Sequence, residues 1–416
     1  MTINNKHNKL NFSNEREQSQ ACLNSAEHEK NQGRKVLNVP NLRFPEFQGE
    51  WEMCKVSDLL DFYSTNSLSW DKLEYGTTNI QNLHYGLIHV GLPTMVDIDK
   101  DNLPNIIDGN VPKNYELCKE GDVVFADASE DTNEVAKAVE YYNLNGKKVV
   151  CGLHTIHGRD NKNKTVVGYK GYAFSSMSFH HQIRRIAQGT KIYSINSKNF
   201  SECYVGIPSK EEQQKIADLL RLIDERIATQ NKIIDKLQSL IKGIRNKLFE
   251  NDKDWRKAKI REFLCIGNGK DYKHLDFGDI PVYGTGGKML SVNDFLYDGD
   301  SVCIGRKGTI DTPLFLTGKF WTVDTLFYTY GFKDVLPKFC YYLFKQINWQ
   351  LYNEGTGVPS LSKSTIENIK VRIPSIVQQY KICYILDSYE DKIKNEGLIL
   401  DLYCSQKQYL LRQMFV

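Results

Sequence analysis

The chain has 416 residues, 54 Lys plus Arg against 51 Asp plus Glu, a formal net charge of +3 and 41% hydrophobic residues. Such a length suits two or three domains and such an apolar fraction suits folded cores, which excludes a chain disordered throughout. No apolar run approaches the ~20 residues of a membrane span and the polar start has no apolar signal segment, so neither a transmembrane helix nor a secretory leader is expected, and any nucleic-acid site must come from clustered cations.

In chain order, residues 1–36 are Asn, Gln, Lys, Glu and Ser with few large apolar groups, and are expected to be a disordered polar tail. A first globular segment over 37–208 comes next, then a helix over 209–250, a second globular segment over 251–374 and a helix over 375–416. Within the first globular segment the run KKVVCGLHTI from Lys147 reads as strand, as does KFWTVDTLFYTY from Lys319 in the second, whereas FCYYLFKQINWQL from Phe339 reads as helix. Each globular segment is therefore a mixed α/β (α+β) domain.

The ten cysteines are scattered with no C-x-x-C pair, which suits reduced thiols packed as small hydrophobes in a cytoplasmic protein rather than a disulfide framework. His154 and His157, or His180 and His181, have the spacing of metal ligands, but no nearby cysteine or paired carboxylate completes a site, so no metal is expected.

The chain repeats itself. The stretch VGIPSKEEQQKIADLLRLIDERIATQNKIIDKLQSLIKGIRNKLF from Val205 aligns without a gap, at an offset of 166, with VRIPSIVQQYKICYILDSYEDKIKNEGLILDLYCSQKQYLLRQMF from Val371. Pro208 matches Pro374, Gln213 matches Gln379, and upstream Gly189-Thr190 matches Gly355-Thr356. Each copy opens on a capping box, Ser209 with Glu212 and Ser375 with Gln378, directly after proline. Beyond the capping box each copy has the 4-3 spacing of a coiled coil, through Ile216, Leu220, Ile223, Ile227, Ile234 and Leu237 in one copy and Ile382, Leu386, Ile393 and Leu400 in the other. Gln230 and Glu396 interrupt the two ladders at the same repeat position; polar residues there set register or mark a solvated crossing. Two matched helices of ~60 Å, separated by a globular segment, are expected to pair antiparallel and to relate the two halves by an internal pseudo-twofold. More faintly, Trp51, Lys55, Val56 and Leu59 correspond to Trp255, Lys259, Ile260 and Phe263, and Glu120-Gly121-Asp122 corresponds to Asp298-Gly299-Asp300.

The order of globular segment, long helix, globular segment and long helix resembles the specificity subunit of type I restriction-modification systems. The resemblance is carried by VPNLRFPEFQGEW, IPSKEEQQKIADLLRLID and GTGVPSLSKSTIENIKVRIPS, and spans about Val39 to Val416. It implies two target-recognition domains, each reading half of a split site in double-stranded DNA, and helices that dock two methyltransferase subunits, with restriction subunits joining through the complex. Adenine methylation with S-adenosylmethionine, and ATP- and Mg-dependent translocation and cleavage, would reside on those partners. The chain lacks a P-P dipeptide, as in the (N/D)-P-P-(Y/F) motif of adenine methyltransferases, and no G-K pair is followed by Ser or Thr as a Walker A loop requires, so it reads as a non-catalytic binding subunit with no cofactor of its own. The competing classes are a coiled-coil scaffold with two ligand-binding heads, and an enzyme using the YGTGGK and GRKG loops.

Candidate DNA contacts are assigned by residue type. Trp255–Val371 has 15 basic against 12 acidic residues, and Trp51–Val205 has 16 against 19. In the second segment the basic loop Gly305-Arg306-Lys307-Gly308-Thr309 offers Arg306 to a guanine edge and Lys307 to a phosphate, with Tyr283, Lys288, Ser360 and Lys363 on neighbouring loops. In the first, the bunched cations Lys147, Arg159, Lys170, Arg184 and Arg185, together with Lys191 and Ser194, are candidates for phosphate, and the amide-rich Asn79, Gln81 and Asn82 with His84 for adenine.

Overall fold

The computed structural model describes residues 37–250 and 254–416; the polar tail expected over 1–36 lies outside the described residues. The chain divides into two compact units, one running to Glu225 and taking back Ser405–Val416, the other Arg226–Cys404. The division passes through both long helices, Lys210–Glu250 and Ile376–Gln413.

Each helix starts behind a Pro-Ser pair. Ser375 Oγ accepts from the Gln378 amide at 3.4 Å while Gln378 Oε1 accepts from the Ser375 amide at 3.1 Å, a reciprocal capping box. At the other start Ser209 Oγ accepts from the Glu212 amide at 3.3 Å, but the Glu212 carboxylate is taken by Arg43, with Nε and Nη2 both at 2.7 Å. A charged bidentate pair outcompetes one backbone N–H.

The 4-3 ladder faces inward as the spacing requires. In the first unit Ile216, Leu220 and Ile223 are buried with Leu410, Met414 and Phe415, and Lys407 Nζ lies 2.6 Å from Asp224. In the second, Ile382 and Leu386 are buried, and Ile227, Ile234, Leu237, Ile393 and Leu400 are half-buried. There Gln230 Nε2 donates to Glu396 Oε2 at 2.6 Å and to its carbonyl at 3.0 Å, and Ile244 and Leu248 share a cleft with Ile382. Partners descend as the first helix ascends, so the two segments run antiparallel in this unit. The two polar interruptions of the ladders meet each other, which spares both a buried unpaired group.

The globular part of each unit is built on one strand arrangement. In the first, Thr155–Arg159 lies antiparallel between Asp61–Tyr63 and Val123–Ala126; in the second, Leu326–Tyr330 lies antiparallel between Cys265–Asn268 and Ser301–Gly305. The first sheet continues through Ala138–Asn143 to Met95–Asp97, the second through Leu314–Leu316. KKVVCGLHTI resolves into strands Val149–Cys151 and Thr155–Arg159, and FCYYLFKQINWQL into the end of helix Pro337–Phe344 and a 3-10 turn at Trp349–Tyr352. Strands entering and leaving each globular part pair antiparallel, Glu52–Lys55 with Tyr204–Ile207 and Arg256–Lys259 with Lys370–Ile373. Both cores are apolar, around Val96, Val124 and Tyr141 in the first unit and Phe263, Ile304, Phe339 and Trp349 in the second.

A buried glutamine fastens each globular part to its helix. Gln213 accepts from the Val166 amide at 2.9 Å and donates to the Pro208 and Lys164 carbonyls at 2.9 and 3.1 Å. Gln379 accepts from the Leu336 amide at 2.8 Å and donates to the Pro374 and Asp334 carbonyls at 3.0 and 3.2 Å. A tyrosine adds a second link in each unit, Tyr172 to Asp224 at 2.8 Å and Tyr342 to Asp387 at 2.6 Å.

Candidate nucleic-acid interface

In the second unit four backbone segments converge. The hairpin of Phe277–Gly284 and Gly287–Val292 turns at Thr285-Gly286, with Tyr283 opposite Lys288, and Tyr283 O accepts from the Val323 amide at 3.0 Å. The Arg306 and Lys307 amides both donate to the Thr325 carbonyl, at 2.8 and 3.3 Å. The Gly308 amide reaches the Pro359 carbonyl at 2.8 Å, the Leu361 amide reaches the Arg306 carbonyl at 2.9 Å, and Lys307 bridges Ser360. Glycine is required at Gly305, where a Cβ would stand 2.0 Å from the Thr309 carbonyl, and Gly308 has φ +96° with Thr285 Oγ1 3.6 Å from its Cβ position. The two Gly-rich motifs of the sequence therefore form one surface.

On that surface Lys288, Arg306, Lys307 and Thr309 are exposed, while Tyr283 and Ser360 are half-buried. The Arg306 guanidinium is only lightly held, with Nη1 3.4 Å from the Asp324 carbonyl and its carbon 5.9 Å from the Phe327 ring. A planar donor anchored by backbone and free at its tip is suited to a base edge, and the flanking ammonium groups to phosphates. Lys363 opens the helix after the loop and pairs with Glu367 at 3.7 Å.

The first unit builds the corresponding place with opposite charge. The Gln188 and Ser194 backbones exchange two hydrogen bonds, at 2.9 and 2.8 Å, as the Glu354 amide bonds Ser360 O at 2.9 Å, and both lie at the 166-residue offset. Gly189 and Gly355 each bring a backbone carbonyl, of Ile192 and Val358, to 1.9 and 2.1 Å of a would-be Cβ. Ser194 bridges Ala128 where Ser360 bridges Lys307, so Asp127-Ala128 stands where Arg306-Lys307 stands. This acidic loop borders a cavity of about 640 Å³ lined by Tyr85, His89, Glu130, Glu134, Lys137 and His154, among others. The His89 imidazole, with Lys137, holds the Glu134 carboxyl down at about 2. Arg184 is exposed and reaches Asn133 Oδ1 at 3.3 Å, Lys191 is exposed next to the lining residue Ile192, and Arg185 is exposed on the helix beside Arg184. Ser194 is exposed on the same loop as Lys191.

Other candidates of the first unit are corrected. Arg159 is buried, doubly bonded to Asp122 at 2.8 Å and to Glu116 at 2.7 Å, and these carboxylates raise its pKa further. Lys170 is 3% exposed, 3.0 Å from buried Glu140. Gln81 and Asn82 are buried on a strand, with Gln81 Nε2 3.3 Å from the Leu103 carbonyl and Asn82 Oδ1 accepting from Asn66 at 2.7 Å. His84 is buried as the cap of Tyr85–Val90, Nδ1 accepting from Gly86 at 3.2 Å, and burial lowers its pKa, keeping the ring neutral. All five are buried rather than on the surface. Asn79 is half-buried and donates to Asp108 at 2.9 Å. Lys147 is exposed, with Nζ 3.2 Å from the Ile98 carbonyl.

The long helices also carry apolar residues outside the seam. Tyr380, Tyr384, Leu398 and Leu402 of the second unit are 55–79% exposed. The heptad spacing accounts only for inward positions; in the sequence these four are visible as extra apolar residues between the seam positions.

The model of the type I restriction modification DNA specificity domain matches the chain twice, over residues 100–239 and 252–401. Among curated relatives, a Methanocaldococcus jannaschii protein named for the MjaX specificity subunit of a type I restriction enzyme is 24% identical over 86% of this chain and 91% of its own length. The EcoDI specificity subunit of Escherichia coli is 26% identical over 32% of this chain and 31% of its own. Among solved structures, the type I restriction-modification S subunit of M. genitalium superposes with a TM-score of 0.56 at 18% identity, covering 91% of this chain and 99% of that one. A chain from a study of assembly and conformational transition in the type I system gives 0.56 at 12% identity, over 87% and 96%. These likenesses establish a shared fold, and no helix among the described residues is long and apolar enough to cross a membrane. With two copies of the domain matched across most of its length, the chain belongs to the type I restriction-modification DNA specificity family, as a specificity subunit.

Proposed function

We propose that the chain reads a bipartite, asymmetric site in double-stranded DNA, one half-site per globular part, and docks two methyltransferase subunits and, through them, the restriction subunits. The observation that carries the reading is the convergence of Lys288, Arg306, Lys307 and Thr309 on a glycine-shaped backbone platform. Asymmetry is supported by the acidic Asp127-Ala128 at the place of Arg306-Lys307 in the other unit, since equivalent loops of opposite charge select different bases. Docking is supported by the exposed Tyr380, Tyr384, Leu398 and Leu402, a grouping typical of protein interfaces. In this reading the chain catalyses nothing, acts in the cytoplasm, and leaves S-adenosylmethionine, ATP and Mg to its partners.

Arg306→Ala tests it. In a mobility-shift titration of the chain assembled with its methyltransferase, the substitution weakens or relaxes one base position of one half-site by about 1–3 kcal/mol. Unchanged affinity and unchanged preference remove Arg306 from the interface.

A further inference from the structure

The first unit contains a cluster that the DNA-reading surface does not use. Cys118 Sγ and Cys151 Sγ are 3.4 Å apart, and a ring nitrogen of His157 joins them within 4.8 Å; all three residues are buried. Sequence spacing hid the group, because Cys118 is brought in by chain pairing: its amide donates to the Val149 carbonyl at 2.8 Å and Leu117 bridges Val150. The expectation that no cysteine lies near His157 is thereby corrected.

The histidine is set up as a ligand. His157 Nε2 is 2.7 Å from Asp122 Oδ2, and Asp122 is held in turn by Arg159 Nε and Nη2 at 2.8 Å and by the Lys119 amide at 2.8 Å. An ionised carboxylate only accepts, so Nε2 carries a proton, and Nδ1 is the ring nitrogen left for a metal to take. Nδ1 is buried and has no hydrogen-bond partner among the described residues, and the buried hydroxyl of Tyr141 neighbours both thiols. A buried imidazole nitrogen left unpaired beside a thiol pair calls for an explanation.

We propose that Cys118, Cys151 and His157 form a closed structural site for a thiophilic divalent cation, zinc first. Two thiolates at about 2.3 Å from zinc stand about 3.8 Å apart in a tetrahedron, close to the separation here. A disulfide would need about 2.05 Å. Asp122, His157 and the metal complete the carboxylate–histidine–metal arrangement that orients such ligands. The fourth corner falls to an oxygen donor, for which the Tyr141 hydroxyl is at hand. On binding, Zn2+ displaces one proton from each thiol, and both protons leave to solvent. The resulting Zn(S)2 unit is electrically neutral, which an apolar core tolerates far better than two bare thiolates. The metal ties the Cys118 segment to strands Val149–Cys151 and Thr155–Arg159, behind the loop that carries His154.

The test is metal content and Co2+ uptake of the full chain purified with reductant and without chelator. The site predicts one zinc per chain by mass spectrometry, exchangeable for Co2+ with thiolate charge-transfer and tetrahedral ligand-field bands. Cys118→Ser and Cys151→Ser abolish both signals, and Cys303→Ser, a buried thiol of the other unit, keeps them. Should the serine variants misfold, the wild-type chain decides: stripping it with chelator lowers its denaturation midpoint and stoichiometric zinc restores it, and a midpoint unmoved by either overturns the proposal. A folded chain that takes up neither metal, retention of the metal by Cys118→Ser, or a Cys118–Cys151 disulfide in the reduced preparation overturns the proposal.

Discussion

At the start of each long helix a glutamine amide is fully buried, and it bonds backbone groups on both sides of the junction between helix and globular part. Removing it strands those groups in a dry environment, and that cost exceeds the net worth of the bonds themselves. Gln379→Ala is therefore expected to destabilise the second unit by about 1–3 kcal/mol, read as a lower denaturation midpoint in urea. Glu134 makes a pH-dependent contribution. Its folded pKa, about 2, lies below the ordinary 4.5, so its stabilisation is present above pH 4.5 and is lost as pH falls towards 2. Its side chain is 42% exposed, so screening reduces the effect to about 1 kcal/mol, and His89→Ala should flatten the acid limb of the stability curve over that window. Residue chemistry alone misplaced Arg159 and Lys170. Their neutralising carboxylates, Asp122 and Glu140, lie 37 and 30 positions away in the chain, and only the folded sheet brings them together.

The helices were legible because a heptad is a local signal: the same side chains that set the spacing make the seam. The repeat was legible for the same reason, and equivalent glycines, glutamines and loop hydrogen bonds recur at the 166-residue offset. The convergence of the YGTGGK and GRKG loops was not legible, since it depends on the Tyr283–Val323 and Gly308–Pro359 bonds between distant segments. The seam itself makes a prediction. Gln230→Leu leaves the Glu396 carboxylate facing an apolar side chain and lowers stability by about 1–3 kcal/mol, whereas the double change Gln230→Leu with Glu396→Leu recovers it. A double-mutant cycle in thermal denaturation measures this; additive losses would show that the 2.6 Å contact carries no coupling.

For the whole molecule, the two units share a strand core and a closing loop but differ in their charge balance, 15 basic against 12 acidic residues over Trp255–Val371 and 16 against 19 over Trp51–Val205. Of the first unit's basic residues, Arg159 and Lys170 are held in internal pairs, and Arg184, Arg185 and Lys191 are exposed. On the proposed reading, two such heads take two different half-sites. The measurement that tests this most directly is sequencing of methylated sites in cells carrying a chain whose Trp255–Val371 segment is replaced by that of another family member, together with its cognate methyltransferase. The account predicts that one half of the methylated site changes and the other half stays as it was; a change in both halves would contradict it.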